Sequence, residues 1–96
     1  FQGLTFDSKL ERDRWVFLLD CQSRGLVTGL RRQSRYALRV EGHLICTIVP
    51  DFEYCTQDGQ VIEDTKGVLA AEWNLKRKLF RAIYGQDIRV VRKPTE

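Results

Sequence analysis

The stretch IVPDFEYCTQDGQVIEDTKG, Ile48 to Gly67, holds two strand-like runs joined by Asp58-Gly59. Apolar, β-branched and aromatic residues on both sides of an Asp-Gly pair signal a hairpin with a primed turn. With Asp58-Gly59 as a two-residue loop, Gln57 faces Gln60, Glu53 faces Asp64 and Asp51 faces Lys66. Opposed residues share a face and side chains repeat every second position, so Asp51, Asp64 and Lys66 project from one side. Directly opposed Cβ atoms lie roughly 4.5–5.5 Å apart and diagonal ones about 7–8 Å. A one-residue slip would turn Asp51 to the other face, and Pro50 cannot donate to a ladder and bends its strand. Ionisable groups on a half-buried strand are costly unless paired or bound to a metal. Two readings stay open on the residues alone. In one, Asp51 pairs with Lys66 and Asp64 with an arginine; in the other, the two carboxylates share a divalent cation. Glu63 has the opposite parity and is assigned to solvent or to an arginine.

The residue types suit the second reading chemically. Mg²⁺ takes hard oxygen ligands and keeps several waters, so one or two carboxylates with phosphate oxygens are sufficient. Such an ion acidifies a water and neutralises charge building on phosphorus oxygens. Lys66 beside it would stabilise that charge or help deprotonate the water.

Upstream, Leu44 to Tyr54 carries the first run of the hairpin; it is preceded by a turn signal at Glu41-Gly42 and, before that, by a loosely alternating run, Leu30 to Val40. A helix starts at Ser8, where Glu11 three residues later completes a capping box. Its apolar stripe is Leu10, Phe17 and Cys21 with Trp15, Leu18 and Leu19 adjoining, and Gly25 and Gly29 bracket its end. Downstream, Gln60 to Lys66 makes a third strand ended by Gly67. A helix from about Ala70 to Tyr84 follows, turning Leu75, Leu79, Ala82 and Ile83 inward. Trp73, Phe80 and Tyr84 form a second stripe on it, read as core or dimer surface. Gly85 stops the helix and Ile88 to Val91 closes with a short strand. The order α-β-β-β-α-β allows a parallel crossover, which predicts an α/β fold: a mixed central sheet flanked by helices, one domain over residues 1–96.

A chain of 96 residues, 43% apolar, supports one modest core. No apolar run is long enough to span a bilayer and no secretory signal is present, so a cytoplasmic protein without a membrane partner is expected. With no Met in the chain, the native start is expected to be missing, and Phe1-Gln2-Gly3 reads as a protease-site remnant without structural weight. Cys21, Cys46 and Cys55 lack C-x-x-C spacing and His43 is the only histidine, which argues against zinc and for free thiols in a reducing compartment.

Net charge is +3, but Cys21 to Val40 holds five arginines and no acid. A second basic run is Lys76, Arg77, Lys78 and Arg81, and the tail adds Arg89, Arg92 and Lys93. Such clusters suit a polyanion, although charge alone favours a solvated face. Arg31, Arg32 and Arg35 alternate in part along a strand, so some face solvent or nucleic acid. Lys76 and Lys78 are candidate phosphate contacts.

Pro50-Asp51 followed by Asp64-Thr65-Lys66 on the next strand resembles the signature of the PD-(D/E)XK nuclease superfamily. The surrounding order is also similar: an acid on a preceding helix, an intervening hairpin, then a helix and a strand, the restriction-endonuclease-like αβββαβ core. GLTFDSKLE (Gly3–Glu11), LRRQSRYAL (Leu30–Leu38), VPDFEY (Val49–Tyr54), VIEDTKG (Val61–Gly67) and NLKRKLF (Asn74–Phe80) further resemble a family of small phage- and prophage-encoded endonucleases. Together they span nearly the whole chain, with Ser34 standing where that family has proline. The resemblance implies Asp51 and Asp64 as metal ligands, the backbone carbonyl of Thr65 as a third, and Lys66 as the catalytic lysine. It implies that Glu11 reaches the metal directly or through water, in competition with its capping role. The expectation is a Mg²⁺-dependent DNA endonuclease, with Mn²⁺ able to substitute, acting in the bacterial host cell on branched or junction DNA as a homodimer. The alternatives are a catalytically inactive nuclease fold that holds DNA or a phage protein, and a nuclease acting on RNA.

Overall fold

The computed structural model describes residues 1–66 and 70–96, so the strand stop expected at Gly67 lies outside the described residues. The elements run α1 (Lys9–Ser23), β1 (Thr28–Arg32), β2 (Tyr36–Val40), β3 (His43–Ile48), β4 (Phe52–Thr56), β5 (Gly59–Thr65), α2 (Ala71–Tyr84) and β6 (Arg89–Val91). Ser8 caps α1, its hydroxyl accepting the Glu11 N–H at 3.1 Å and so satisfying an orphan donor of the first turn. The Glu11 carboxylate reaches back as a capping box requires, but to the Asp7 N–H, at 3.1 Å. The helix closes in a Schellman motif. Leu26 N–H donates to the Cys21 carbonyl at 2.9 Å and Gly25 N–H to that of Gln22 at 3.0 Å, with Gly25 at φ 76° where a side chain would be strained.

β4 pairs antiparallel with β1 and β5, and β6 joins β5 in parallel, giving a mixed sheet in the order β1-β4-β5-β6. The parallel pair is connected through α2, the crossover that such a pair needs. This is a small α/β fold with more strands than the expected α-β-β-β-α-β. Each of the two long runs, Leu30–Val40 and Leu44–Tyr54, is cut in two. Gln33, at φ 52°, turns the chain out of β1, and Pro50, with no N–H to give a ladder, separates β3 from β4. The two breaks are clamped together, because Gln33 N–H donates to the Asp51 carbonyl at 3.0 Å. β2 and β3 form a separate two-stranded hairpin. Its loop is Glu41-Gly42, both at positive φ (50° and 81°), as a two-residue primed turn demands.

The β4–β5 turn corrects the expected register. Thr56 pairs with Gly59, so the two-residue loop is Gln57-Asp58, and Glu53 stands opposite Ile62 rather than Asp64. The positive φ falls on Gly59, at 126°, outside that loop. The slip is two residues, which preserves the parity of every side chain. Asp51, one residue before β4, therefore comes level with Asp64 rather than with Lys66.

Two apolar clusters form on opposite faces of the sheet, as the alternation of Val61 and Ile62 on β5 requires. Under α1 lie Leu18, Val27, Phe52 and Tyr54, with Trp15, Phe17 and Cys21 at the margin. Under α2 and the β2–β3 hairpin lie Leu38, Ile48, Ile62, Phe80 and Ile88, with Tyr36, Trp73 and Leu79 at the margin. The inward stripe of α2 is thus the aromatic one. Leu75 is 68% exposed, and Ala82 and Ile83 also face outward, while Phe80 is buried. Aromatic rings bury more area per residue and prefer offset or edge contacts. Phe80 meets Tyr36 edge-on at 5.2 Å and Tyr84 at 4.8 Å, and the Tyr84 hydroxyl donates to the Ala37 carbonyl at 2.7 Å. Gly85, at φ 73°, ends the helix. No helix among the described residues is long and apolar enough to cross a membrane.

Candidate functional site

Asp51 sits in the break that Pro50 makes, and Asp64 near the end of β5. Asp51 N–H donates to Asp64 Oδ1 at 2.9 Å. Asp51 Oδ2 accepts from the Thr65 N–H at 2.9 Å and the Thr65 hydroxyl at 2.7 Å. Lys66 Nζ lies 2.7 Å from Asp64 Oδ2 and 5.2 Å from the centroid of the Trp73 ring, so its ammonium is held between a carboxylate and an indole face. Glu11 approaches from the first turn of α1; its Oε2 takes the Asp7 N–H, and its Oε1 is buried without a hydrogen-bond partner among the described residues. The structure thus brings together Glu11, Asp51, Asp64, Thr65 and Lys66, with the lysine on Asp64 rather than opposite Asp51.

The electrostatics are those of under-neutralised acids. Burial, then the charge of Asp51, pushes the Asp64 carboxyl up to about 7 in spite of Lys66. Burial, then Asp51 again, also raises the Glu11 carboxyl. Like charges in a poorly solvated site cannot all ionise freely. Hard oxygen donors, excess negative charge and the partnerless Glu11 Oε1 suit a divalent cation. Among the described residues, no three His, Cys, Asp or Glu side chains form a ready-made ion cage. An ion here would rest on the Asp51–Asp64 pair and complete its shell largely with water, as Mg²⁺ commonly does.

Other buried acids are neutralised. Glu63 receives Arg14 Nε at 2.7 Å, Arg14 Nη2 at 3.0 Å and the Tyr54 hydroxyl at 2.7 Å. Arg14 Nη1 in turn donates to the carbonyls of Pro94 and Glu96 at 2.9 and 2.8 Å. The arginine expected for Glu63 is therefore Arg14, which no local pattern announces on a helix. Glu53 takes the hydroxyls of Ser34 and Tyr36, the amide of Gln60, and Arg31 Nη2 at 3.3 Å. Burial would raise its carboxyl, but these donors outweigh it and hold it below the usual range. Ser34 thus acts as a donor that ties the β1–β2 connection to β4.

The basic candidates scatter. Arg31 is exposed but tied to Glu53. Arg32 lies over the Phe6 ring at 4.2 Å and bonds the Thr5 carbonyl at 3.0 Å, which withdraws it from solvent. Arg35 is exposed, Lys76 pairs with Glu72 at 3.5 Å, and Lys78 is exposed on α2.

No curated protein and no solved structure matches the chain. A family model described as "Protein of unknown function (DUF1064)" matches residues 1–94, and the chain belongs to that family.

Proposed function

We propose that the protein is a divalent-metal-dependent endonuclease that hydrolyses phosphodiester bonds in DNA at the Asp51–Asp64–Lys66 cluster. The observation that carries this reading is the facing pair of carboxylates, with Asp64 raised to about 7 and Lys66 at 2.7 Å, at the residues that resemble a nuclease signature. Asp51, Asp64 and the Thr65 carbonyl would hold Mg²⁺ or Mn²⁺, with Glu11 reaching it directly or through water. A bound ion supplies an acidified water and neutralises charge on the phosphate. Thr65 orients Asp51 through two hydrogen bonds, leaving the second carboxylate oxygen of Asp51 for the ion. Lys66, pinned by Asp64 and Trp73, presents its ammonium to a phosphate oxygen and stabilises the charge that grows there. Branched or junction DNA is the proposed substrate form, with a second copy of the chain as partner.

The rival is a module that holds nucleic acid without cutting, favoured by the two hydrogen bonds that already satisfy one Asp51 oxygen. Plasmid, four-way-junction DNA and RNA are incubated with wild type and Asp51→Ala over a Mg²⁺ and Mn²⁺ titration. Metal-dependent cleavage of DNA that is lost in Asp51→Ala is expected. Equal binding without cleavage by both proteins supports the rival.

A further inference from the structure

Asn74, Arg77, Lys78 and Arg81 recur at the three- and four-residue spacing that lines one side of a helix. On α2 they border, with Asp87 from the α2–β6 connection, a cleft of about 200 Å³. Arg77 is preorganised there. Its Nε and Nη2 grip the two Asp87 oxygens at 2.9 and 3.2 Å, and its guanidinium lies 5.6 Å from the Trp73 ring centroid. Asp87 is consumed by this contact and by the Ile88 N–H at 2.9 Å; chiefly Arg77, and to a lesser degree Arg81, hold its carboxyl below the usual range. Among the described residues, Arg77 Nη1 meets no acceptor, and neither Lys78 nor Arg81 has an acid within salt-bridge distance. Arg12, Arg24 and Lys76 are paired, with Asp13, Asp20 and Glu72. Lys9, Arg35, Arg39, Arg89, Arg92 and Lys93 share with Lys78 and Arg81 the lack of an acid within salt-bridge distance among the described residues. What sets Lys78 and Arg81 apart is that they border a cleft with a fixed guanidinium. The cleft therefore keeps a surplus of positive charge around fixed donors.

Trp73 connects this cleft to the carboxylate cluster. Its ring carries Lys66 at 5.2 Å and Arg77 at 5.6 Å, so these two cations are no more than about 11 Å apart. A span within that bound is of the order of the distance between nearby phosphates of one strand, which advance ~3.4 Å along the helix axis per step and wind around it as well.

We propose that the Asn74–Arg77–Lys78–Arg81 cleft is an anchoring site for a backbone phosphate of the nucleic acid, near the phosphate held at Asp51 and Asp64 on the same strand. The inference rests on the nucleic-acid part of the reading above and not on cleavage. Arg77 supplies a fixed guanidinium of the geometry that phosphate oxygens favour, Lys78 and Arg81 supply mobile cations, and Asn74 an amide donor.

The test measures affinity for labelled duplex and single-stranded DNA across a salt series without divalent ions, so that no cutting occurs. Lys78→Ala/Arg81→Ala changes only exposed side chains and leaves the Arg77–Asp87 pair in place. It is expected to weaken binding tenfold or more and to flatten the dependence of log affinity on log salt by about 1, because one lost phosphate contact removes roughly 0.9 from the slope. Arg24→Ala, at the far end of α1, is expected to match wild type. Equal affinity and slope in the double variant overturn the anchor, as does a wild type with no DNA affinity at low salt. Wild-type cleavage in Mg²⁺ is scored separately. A protein that binds through the cleft without cutting keeps the anchor and loses the nuclease; one that cuts with an unaltered double variant does the reverse.

Discussion

Glu63 and Asp64 are neighbours on β5, both fully buried carboxylates pointing to opposite faces of one sheet. Glu63 is neutralised on both oxygens by Arg14, with Tyr54 adding a third hydrogen bond. Burial works against the Arg14 cation, yet Glu63 outweighs it and holds the guanidinium pKa above its ordinary value. Asp64 has one partly exposed lysine and faces the charge of a second acid. A buried charge that is fully paired locks a structure, whereas one left short of counter-charge is poised for a ligand. The difference separates scaffold from site within two consecutive residues.

The comparison breaks most sharply at Arg14. Arg14→Met leaves Glu63 buried without its cation and is expected to cost about 3–5 kcal/mol, read from urea unfolding. Adding Glu63→Leu should restore most of that loss, because an apolar pair of similar volume is often neutral. Asp64→Asn is expected to do the opposite: stability equal to or above wild type, with cleavage reduced by roughly 10²-fold or more. A large loss of stability in Asp64→Asn would erase the distinction between the two acids.

Alkaline unfolding sharpens the scaffold side. Burial, then the hydrogen bond to Glu63, pushes the Tyr54 hydroxyl up to about 12, against about 10 when unfolded. The folded state holds its proton longer, so the stability contributed is complete below pH 10 and lost as pH rises through 12. The advantage of wild type over Tyr54→Phe should shrink by about 1–3 kcal/mol across that window, measured by denaturant titration at each pH. On the site side, Mg²⁺ should raise the unfolding free energy of wild type by about 1.4 kcal/mol at ten times its Kd, and leave Asp51→Ala unchanged. A thermal midpoint that moves equally in both proteins would place the ion elsewhere.

Much of the site was legible because parity is local. Asp51, Asp64 and Lys66 share a side in any register that slips by an even number of residues, and the observed slip is two. Glu11 was legible twice, as a cap and as an acid, and the structure engages one of its oxygens with Asp7 and leaves the other bare. Arg77 was visible only as part of a basic run, since its partners Asp87 and Trp73 are known only once α2 is docked.

The sequence by itself determined the features that depend on a few adjacent residues. These are the Ser8 cap, the Glu41-Gly42 turn, the Gly85 stop and the alternation that sets β5 between two faces. Backbone conformation and side-chain period are short-range properties, so a window of several residues contains them. Only the tertiary structure decided that Leu30–Val40 and Leu44–Tyr54 divide between two sheets, that α2 buries Phe80 instead of Leu75, and that Arg14 closes on Glu63. Each of those outcomes is a competition among partners distant along the chain, settled by which burial and which pairing leave the fewest charges and donors unmet.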